Sequence, residues 1–210
     1  MMRICLSCLA FVLLTAPTAG AVAAPLPREA VVDAHLHYKW NQAEVTSPED
    51  AVAALRENAV ELAVVTGTPP ELALELHALA PDLIVPIFGP YRTSGEWYRR
   101  QARAELVDEA REALDGGVYR GIGELHLIGG FAMRWQTSEV LKGLLALGAA
   151  YQVPVLVHME FSRADPTLSL CRGNPGNRLI LAHAGGVLPS AEVARILSEC
   201  PKVWVDLAAR

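Results

Sequence analysis

Histidines and acidic residues recur in this chain at the ends of short apolar runs, with a spacing that suits metal binding. The first such run carries Asp33, His35 and His37. Side chains two residues apart on a β-strand point to the same face, so His35 and His37 can offer two imidazoles to one ion. The placement recurs later, at Glu124 with His126, at His158 and at His183. Five of the six histidines are therefore expected at one site.

Zinc-type sites use imidazole nitrogens and carboxylate oxygens as ligands. The predicted metal ligands of this set are His35, His37, His158, His183 and Glu124. His183 is also a candidate to hold a second metal, to shuttle a proton or to polarise the substrate. Glu124 either bridges two ions or only orients the imidazoles. His183 and Glu124 are accordingly the predicted catalytic residues.

The remaining polar residues of the pattern have other expected roles. His126 shares a strand face with Glu124 and is expected to contact the substrate or a ligand side chain. Asp206 lies on the last predicted strand, and a structural role is favoured for it over a functional one. His77 lies in an amphipathic segment and is expected to be an ordinary helix residue.

The first 23 residues have the pattern of a cleaved signal peptide. Arg3 precedes an apolar run, and Ala21-Val22-Ala23 supplies the small residues of a cleavage site. We expect residues 1–23 to be removed and residues 24–210 to form one exported domain, secreted or periplasmic. A lipid anchor on Cys8 is the disfavoured alternative, because the apolar stretch before it is short. No later apolar run is long enough to span a bilayer, so no membrane partner is expected after cleavage.

Charge and cysteine content narrow the range of partners. The net charge is −5, and loss of Arg3 with the leader makes it one unit more negative, which disfavours nucleic acid. A small-molecule substrate is expected, and a homo-oligomer remains open. Only Cys171 and Cys200 survive processing; an exported context permits a disulfide, although nothing in the sequence shows that they meet.

Seven apolar runs predict strands, over 31–38, 62–66, 83–88, 120–127, 154–160, 179–183 and 203–207. The segments between them predict helices, one with Ser47 as its cap and Pro48 at its first position, and another ending at Gly116-Gly117. Strands that are nearly all apolar, each followed by a helix, predict a parallel sheet covered by helices.

A closed barrel is favoured over an open, doubly wound sheet. The turn at residues 38–42 contains no glycine, unlike the phosphate-binding turn of nucleotide-binding sheets. Polar residues collect instead at strand carboxyl ends, where barrels keep their chemistry. We predict an α/β fold, a (β/α)8 TIM barrel with seven strands present and the eighth missing. Because such barrels have about 250 residues, residues 24–210 are expected to be incomplete at the C-terminus.

These motifs resemble those of the amidohydrolase superfamily. Val32-Asp33-Ala34-His35-Leu36-His37 is similar to its strand-one motif, and Val157-His158 to its strand-five ligand. Ile180-Leu181-Ala182-His183-Ala184-Gly185-Gly186 is similar to the strand-six motif of the amidohydrolase-related branch. Gly121-Ile122-Gly123-Glu124 is similar to the strand-four motif of TatD-like metal-dependent hydrolases, and the absence of a lysine there disfavours the carbamylated-lysine subtype.

The resemblance implies an exported metal-dependent hydrolase that uses one or two divalent ions, preferably zinc, to polarise a substrate and activate water. The implied substrate is a small amide, ester or lactone. The alternatives are a decarboxylase of the same superfamily, a non-catalytic exported binding protein or inactive fragment, and a doubly wound ligand binder without metal. In the family, an aspartate ending strand eight is a ligand and proton acceptor; the chain stops before that strand, which leaves the activity of these 210 residues alone open.

Overall fold

Strands and helices alternate along the chain in this computed structural model, which describes residues 29–93, 95–96, 103–127, 138–159 and 161–209. The strands are β1 (Val31–Lys39), β2 (Val60–Thr68), β3 (Ile84–Ile87), β4 (Ile122–His126), β5 (Pro154–His158), β6 (Arg178–Leu181) and β7 (Val203–Val205). The helices are α1 (Trp40–Ala43), α2 (Pro48–Glu57), α3 (Glu71–Leu79), α4 (Leu106–Asp115), α5 (Glu139–Ala150), α6 (Asp165–Gly173) and α7 (Ser190–Glu199). A 3₁₀ helix spans Ala182–Gly185. The predicted signal peptide lies outside the described residues.

The strands form two parallel sheets, ordered β1-β2-β3 and β4-β5-β6-β7. A single parallel bridge between Phe88 and Ile122 links the end of β3 to β4. There the N–H of Phe88 donates to the Gly121 carbonyl, and the N–H of Gly123 donates to the Phe88 carbonyl, both at 2.9 Å. The predicted α/β fold with parallel strands is confirmed, whereas closure into a TIM barrel stays a prediction.

Local sequence signals account for the ends of the helices. The Ser47 side chain accepts a hydrogen bond from the Asp50 N–H at 3.1 Å, and Pro48 takes the first helical position of α2, as predicted. Helix α4 is capped by Gly116, and the next residue, Gly117, has a φ of 74°. Glycine adopts this left-handed conformation without a Cβ clash, so the chain can turn there toward β4.

Apolar clusters lock the helices onto the sheets. One lies between β1–β3 and helices α2 and α3, and its fully buried members include Val65 and Leu76. A larger one lies between β4–β7 and helices α4–α7, and includes Leu106 and Leu144. Complete burial of a leucine side chain contributes about 1.5–3 kcal/mol. This packing holds the strands side by side, with all their carboxyl ends at one edge.

Cys171 and Cys200 form a disulfide that joins α6 to the residue following α7, with Cα atoms 6.2 Å apart. The sequence permitted this pairing without predicting it. The bridge lies before the amino end of β7, away from the carboxyl ends of the strands. None of the helices in the described ranges is long and apolar enough to cross a membrane.

Candidate metal centre

The candidate ligands come from the carboxyl ends of four strands. His35 and His37 lie on β1, Glu124 on β4 and His158 at the last position of β5, as predicted. His183 follows β6, which ends at Leu181. Because carboxyl ends of parallel strands lie at the same edge, residues far apart in sequence meet here.

Glu124 is the hub of this cluster. One carboxylate oxygen, Oε2, lies 3.0 Å from His37 Nε2, 3.5 Å from His35 Nε2 and 3.5 Å from His126 Nε2. The Glu124 side chain is only 3 % exposed, so its charge is removed from water. A buried carboxylate is costly unless cations or hydrogen-bond donors surround it.

The other oxygen of Glu124 faces the second half of the cluster. Oε1 lies 2.8 Å from His158 Nδ1 and 3.6 Å from His183 Nε2. The ring centroids of His158 and His183 are 4.9 Å apart. One carboxylate thus contacts all four predicted histidine ligands and His126.

The donor set fits a metal ion. His35 Nε2 and His37 Nε2 lie 3.0 Å apart, and both face the same oxygen of Glu124. Two neutral ring nitrogens at this distance repel unless a proton or a cation lies between them, and ligands of one zinc ion approach each other this closely. Imidazole nitrogen and carboxylate oxygen are both common zinc ligands.

The ligand atoms fall into two groups that share Glu124. In each group the atoms lie within 4.8 Å of one another: His35, Glu124 and His183 in one, and Glu124, His126 and His158 in the other. A carboxylate shared between two groups is suited to one ion or to a bridged pair. The structure therefore adds His126 to the residues whose ring nitrogens face the carboxylate.

The conformation of His183 corrects the prediction that it ends a strand. It lies in the 3₁₀ helix, with φ values of 54° at His183 and 46° at Ala184. Left-handed conformations of residues other than glycine are unfavourable and persist where surrounding contacts fix them. The ring is fixed by the Nδ1–H of His183, which donates to the Ala208 carbonyl at 2.6 Å. The other ring nitrogen, Nε2, then faces the cluster, 3.6 Å from Glu124 Oε1.

Asp206 lies directly after β7 and also contacts the cluster. Its Oδ2 is 3.1 Å from His35 Nδ1, and its Oδ1 accepts a hydrogen bond from the His183 N–H at 3.0 Å. Burial raises the pKa of Asp206, but the hydrogen bonds from His35 and His183 outweigh burial and lower it. Position alone, at the end of an apolar run, was the only sequence signal for this residue.

Burial and hydrogen bonding set the charges of the other groups. Burial lowers the pKa of His37. Burial acts in the same direction on His35, but hydrogen bonds to Asp206 and Glu124 prevail and raise its pKa to about 9. Burial opposes ionisation of Glu124, yet hydrogen bonds from His158 and the two β1 histidines hold the pKa of its carboxyl well below the usual range.

Two further residues near the centre were not predicted. The Tyr91 hydroxyl accepts a hydrogen bond from the His126 N–H at 2.9 Å and lies 3.1 Å from His126 Nδ1, so it orients that ring. No motif marks Tyr91 in the sequence. Lys39 continues the alternation of His35 and His37 on β1; burial lowers the pKa of its ammonium, whereas the charge of Glu124 acts to raise it. The period of two was a usable signal for Lys39.

His77 and Asp33 make contacts unlike those of the cluster. His77 lies in α3, as predicted, and its Nδ1 is 2.7 Å from the Ile84 carbonyl. The carboxylate of Asp33 accepts a hydrogen bond from the backbone N–H of His35 at 3.0 Å. Both residues can therefore serve as controls for the candidate ligands.

No family model, curated protein or solved structure matches this chain.

Proposed function

We propose that this protein is a metal-dependent hydrolase of the amidohydrolase type that cleaves a small amide, ester or lactone. The convergence of His35, His37, His158 and His183 on the buried carboxylate of Glu124 is the observation that carries the proposal. These five residues would hold one or two divalent ions, preferably zinc. Such an ion supplies a Lewis acid and a source of nucleophile at neutral pH.

The protein's own hydrogen bonds prepare the imidazoles for this task. A carbonyl or carboxylate oxygen only accepts, so the contacts to Ala208 and Asp206 place protons on Nδ1 of His183 and His35. Nε2, the nitrogen that faces Glu124, then carries the lone pair of each ring whenever that ring is neutral. A histidine in that state binds a cation or takes a proton from a reacting group, which suits His183 as either a ligand or a base.

We propose further that the two sheets are parts of one (β/α)8-type barrel. A cluster of strand residues supports this, because Ile87 of β3 packs with Leu156 of β5 and Ala182, and Val64 and Ile180 pack against them. The Thr66 hydroxyl also donates to the Gly123 carbonyl at 2.6 Å, from β2 to β4. Contacts of this kind between non-neighbouring strands are those of a barrel interior.

An exported location is part of the proposal. The disulfide between Cys171 and Cys200 supports it, since such bonds persist in oxidising compartments. A small-molecule substrate is also part of the proposal. A cavity of about 320 Å³ lies between β1 and α2, and its lining includes His37 of the candidate ligands together with Leu36, Gln42 and Leu55.

Hydrolysis by the purified protein tests the assignment. After zinc loading, the parent, Glu124→Gln and His77→Gln proteins are assayed against a panel of small amides, esters and lactones. We expect turnover by the parent and by His77→Gln, and its loss in Glu124→Gln and after chelation. Metal-loaded parent that hydrolyses no member of the panel, or turnover that survives both chelation and Glu124→Gln, would contradict the proposal.

A further inference from the structure

Asp206 contacts two histidines of the metal centre through different parts of those residues. Its Oδ2 is 3.1 Å from the Nδ1 of the His35 ring, whereas its Oδ1 accepts from the backbone N–H of His183 at 3.0 Å. Oδ1 also accepts from the Ala208 N–H at 3.1 Å. Asp206 is only 6 % exposed. Both of its oxygens are therefore engaged by named donors inside the protein.

The contact with His35 determines which ring nitrogen carries the proton when the ring is neutral. A carboxylate has no proton to donate, so Nδ1 of His35 must carry a proton. The opposite nitrogen, Nε2, lies 3.0 Å from His37 Nε2 and 3.5 Å from Glu124 Oε2. In the neutral ring, the lone pair of Nε2 is thereby directed at the point where the other donors meet. Carboxylates that bond the outer nitrogen of a histidine ligand fix its tautomer and orientation in this way.

The contact with His183 holds an unfavourable backbone. His183 and Ala184 both have positive φ, at 54° and 46°. This left-handed conformation is unfavourable for residues other than glycine, so compensating bonds must retain it. Asp206 accepts from the N–H of His183, and its bond to Ala208 fixes the residue whose carbonyl holds the His183 ring. One carboxylate thus fixes both the backbone and, through Ala208, the side chain of His183.

We propose that Asp206 is a positioning residue of the metal centre, which holds His35 in the Nδ1–H tautomer and His183 in its left-handed conformation so that both Nε2 atoms face the ion. This inference rests on the proposed function, because it assigns Asp206 a task only if the centre binds metal. Asp33 also bonds His35, but through the backbone N–H and not the ring. The two carboxylates are therefore predicted to differ in their effect on metal binding.

Asp206→Asn tests the assignment with little change of shape. The asparagine oxygen can still accept from the N–H groups of His183 and Ala208, while its amide nitrogen faces His35 Nδ1 as a donor. That donor favours the tautomer with the proton on Nε2, which blocks the lone pair. We expect zinc affinity, measured by competition with a chelator, to fall roughly 10–100-fold. Asp33→Asn removes a charge from β1, the strand that carries His35, and should change the zinc affinity by less than about threefold.

Two spectroscopic readouts separate positioning from folding. Nitrogen NMR of the histidine rings in the chelated proteins, recorded above pH 9 so that His35 is neutral, should show its proton on Nδ1 in the parent and on Nε2 in Asp206→Asn. The absorption spectrum of bound cobalt should change in Asp206→Asn and not in Asp33→Asn, because it reports the ligand geometry. Should Asp206→Asn not fold, the tautomer of His35 in the parent decides the question alone.

The outcomes distinguish this inference from the proposed function. A folded parent that binds no metal contradicts the proposed function and the positioning role with it. Parent and Asp206→Asn that bind zinc equally well, with the same cobalt spectrum, overturn the positioning role and leave the metal centre in place. A neutral His35 in the parent with its proton on Nε2 and none on Nδ1 overturns it as well.

Discussion

Glu124 provides the buried carboxylate that all the candidate histidine ligands contact. Both of its oxygens face imidazole nitrogens, at distances from 2.8 to 3.6 Å. In water, a carboxylate and five imidazoles would each be hydrated. In this site the imidazole nitrogens contact the carboxylate instead of water. That arrangement is stable when the site holds cations or protons, and a divalent ion meets the same need with one charged group.

Loss of this carboxylate should weaken metal binding directly. For Glu124→Gln we expect at least a tenfold drop in zinc affinity, because a neutral amide is a poor substitute for a charged ligand. Chelator competition measures the change. Glu139→Gln is the matched control, since Glu139 is an exposed acid on α5 that pairs with Lys142. Equal affinities in both variants would exclude Glu124 from the centre.

The raised pKa of His35 predicts that zinc and protons compete. Since its pKa is about 9 instead of 6.5, the chelated protein holds a proton on His35 at neutral pH, which zinc must displace. Apparent affinity should therefore rise with pH, by up to roughly tenfold per unit, until about pH 9. Calorimetry in buffers of different ionisation enthalpy measures the released proton. Affinity that falls with rising pH would contradict the assignment.

The same shift predicts how the chelated protein responds to pH. A folded pKa above the unfolded value means that the proton on His35 stabilises the native state. This contribution is complete below pH 6.5 and is lost as pH rises through about 9. The melting temperature of the chelated parent should fall over that window. His35→Gln should show a smaller fall, and an equal one in both proteins would remove His35 as the cause.

At the scale of elements, the strands were predictable, whereas the backbone conformation that follows β6 was not. Each predicted strand is found, because buried parallel strands are written as apolar runs. The departure of His183 from β6 depends on bonds to Asp206 and Ala208, residues over twenty positions away. The central place of Glu124 likewise depends on the meeting of separate strands. The periodicity of residues within one apolar run predicts neither the left-handed conformation of His183 nor the meeting of separate strands at Glu124.

Gly123 precedes Glu124 on β4, and we expect its close packing against β5 to set the position of Glu124. Its φ is 136°, and an added Cβ would lie 2.5 Å from the Leu156 carbonyl oxygen on β5. Gly123→Ala should therefore lower the free energy of unfolding by at least about 2 kcal/mol and weaken metal binding. Denaturant unfolding and zinc titration measure the two effects.

Gly173→Ala provides the control for that substitution. A Cβ at Gly173 meets nothing within 4 Å, and the residue ends α6. We expect it to leave metal binding unchanged and to alter stability by less than about 1 kcal/mol. If Gly123→Ala is as mild as this control, close packing of β4 on β5 does not set the position of Glu124.

At the scale of the whole molecule, the disulfide and the candidate metal centre lie at opposite ends of the strands. The bridge spans 29 residues of sequence, so its removal should lower the free energy of unfolding by roughly 3–4 kcal/mol through loop entropy. The double variant Cys171→Ser, Cys200→Ser should retain its zinc stoichiometry. Denaturant unfolding and metal analysis test this separation, and joint loss of stability and metal in a folded variant would contradict it.

The α/β class was predictable, because apolar runs alternate with amphipathic segments along the chain. The convergence of the ligands was predictable as well, because the histidines lie at the ends of the apolar runs. The disulfide was not, since it depends on how α6 packs beside α7. The contact between Asp206 and His35 was not predictable either, because it joins the residue after β7 to β1 across 171 residues of sequence. Long-range contacts of this kind arise from tertiary packing and leave no local pattern.

Metal content of the purified protein is the most direct test of the central claim. Elemental analysis would compare the parent with the double variant His35→Ala, His37→Ala and with His77→Ala, whose histidine lies in α3. The account predicts one or two equivalents of zinc or a similar divalent metal in the parent and in His77→Ala, and loss of that metal in the double variant. A well-folded parent without stoichiometric metal, or a double variant that retains it, would contradict the account.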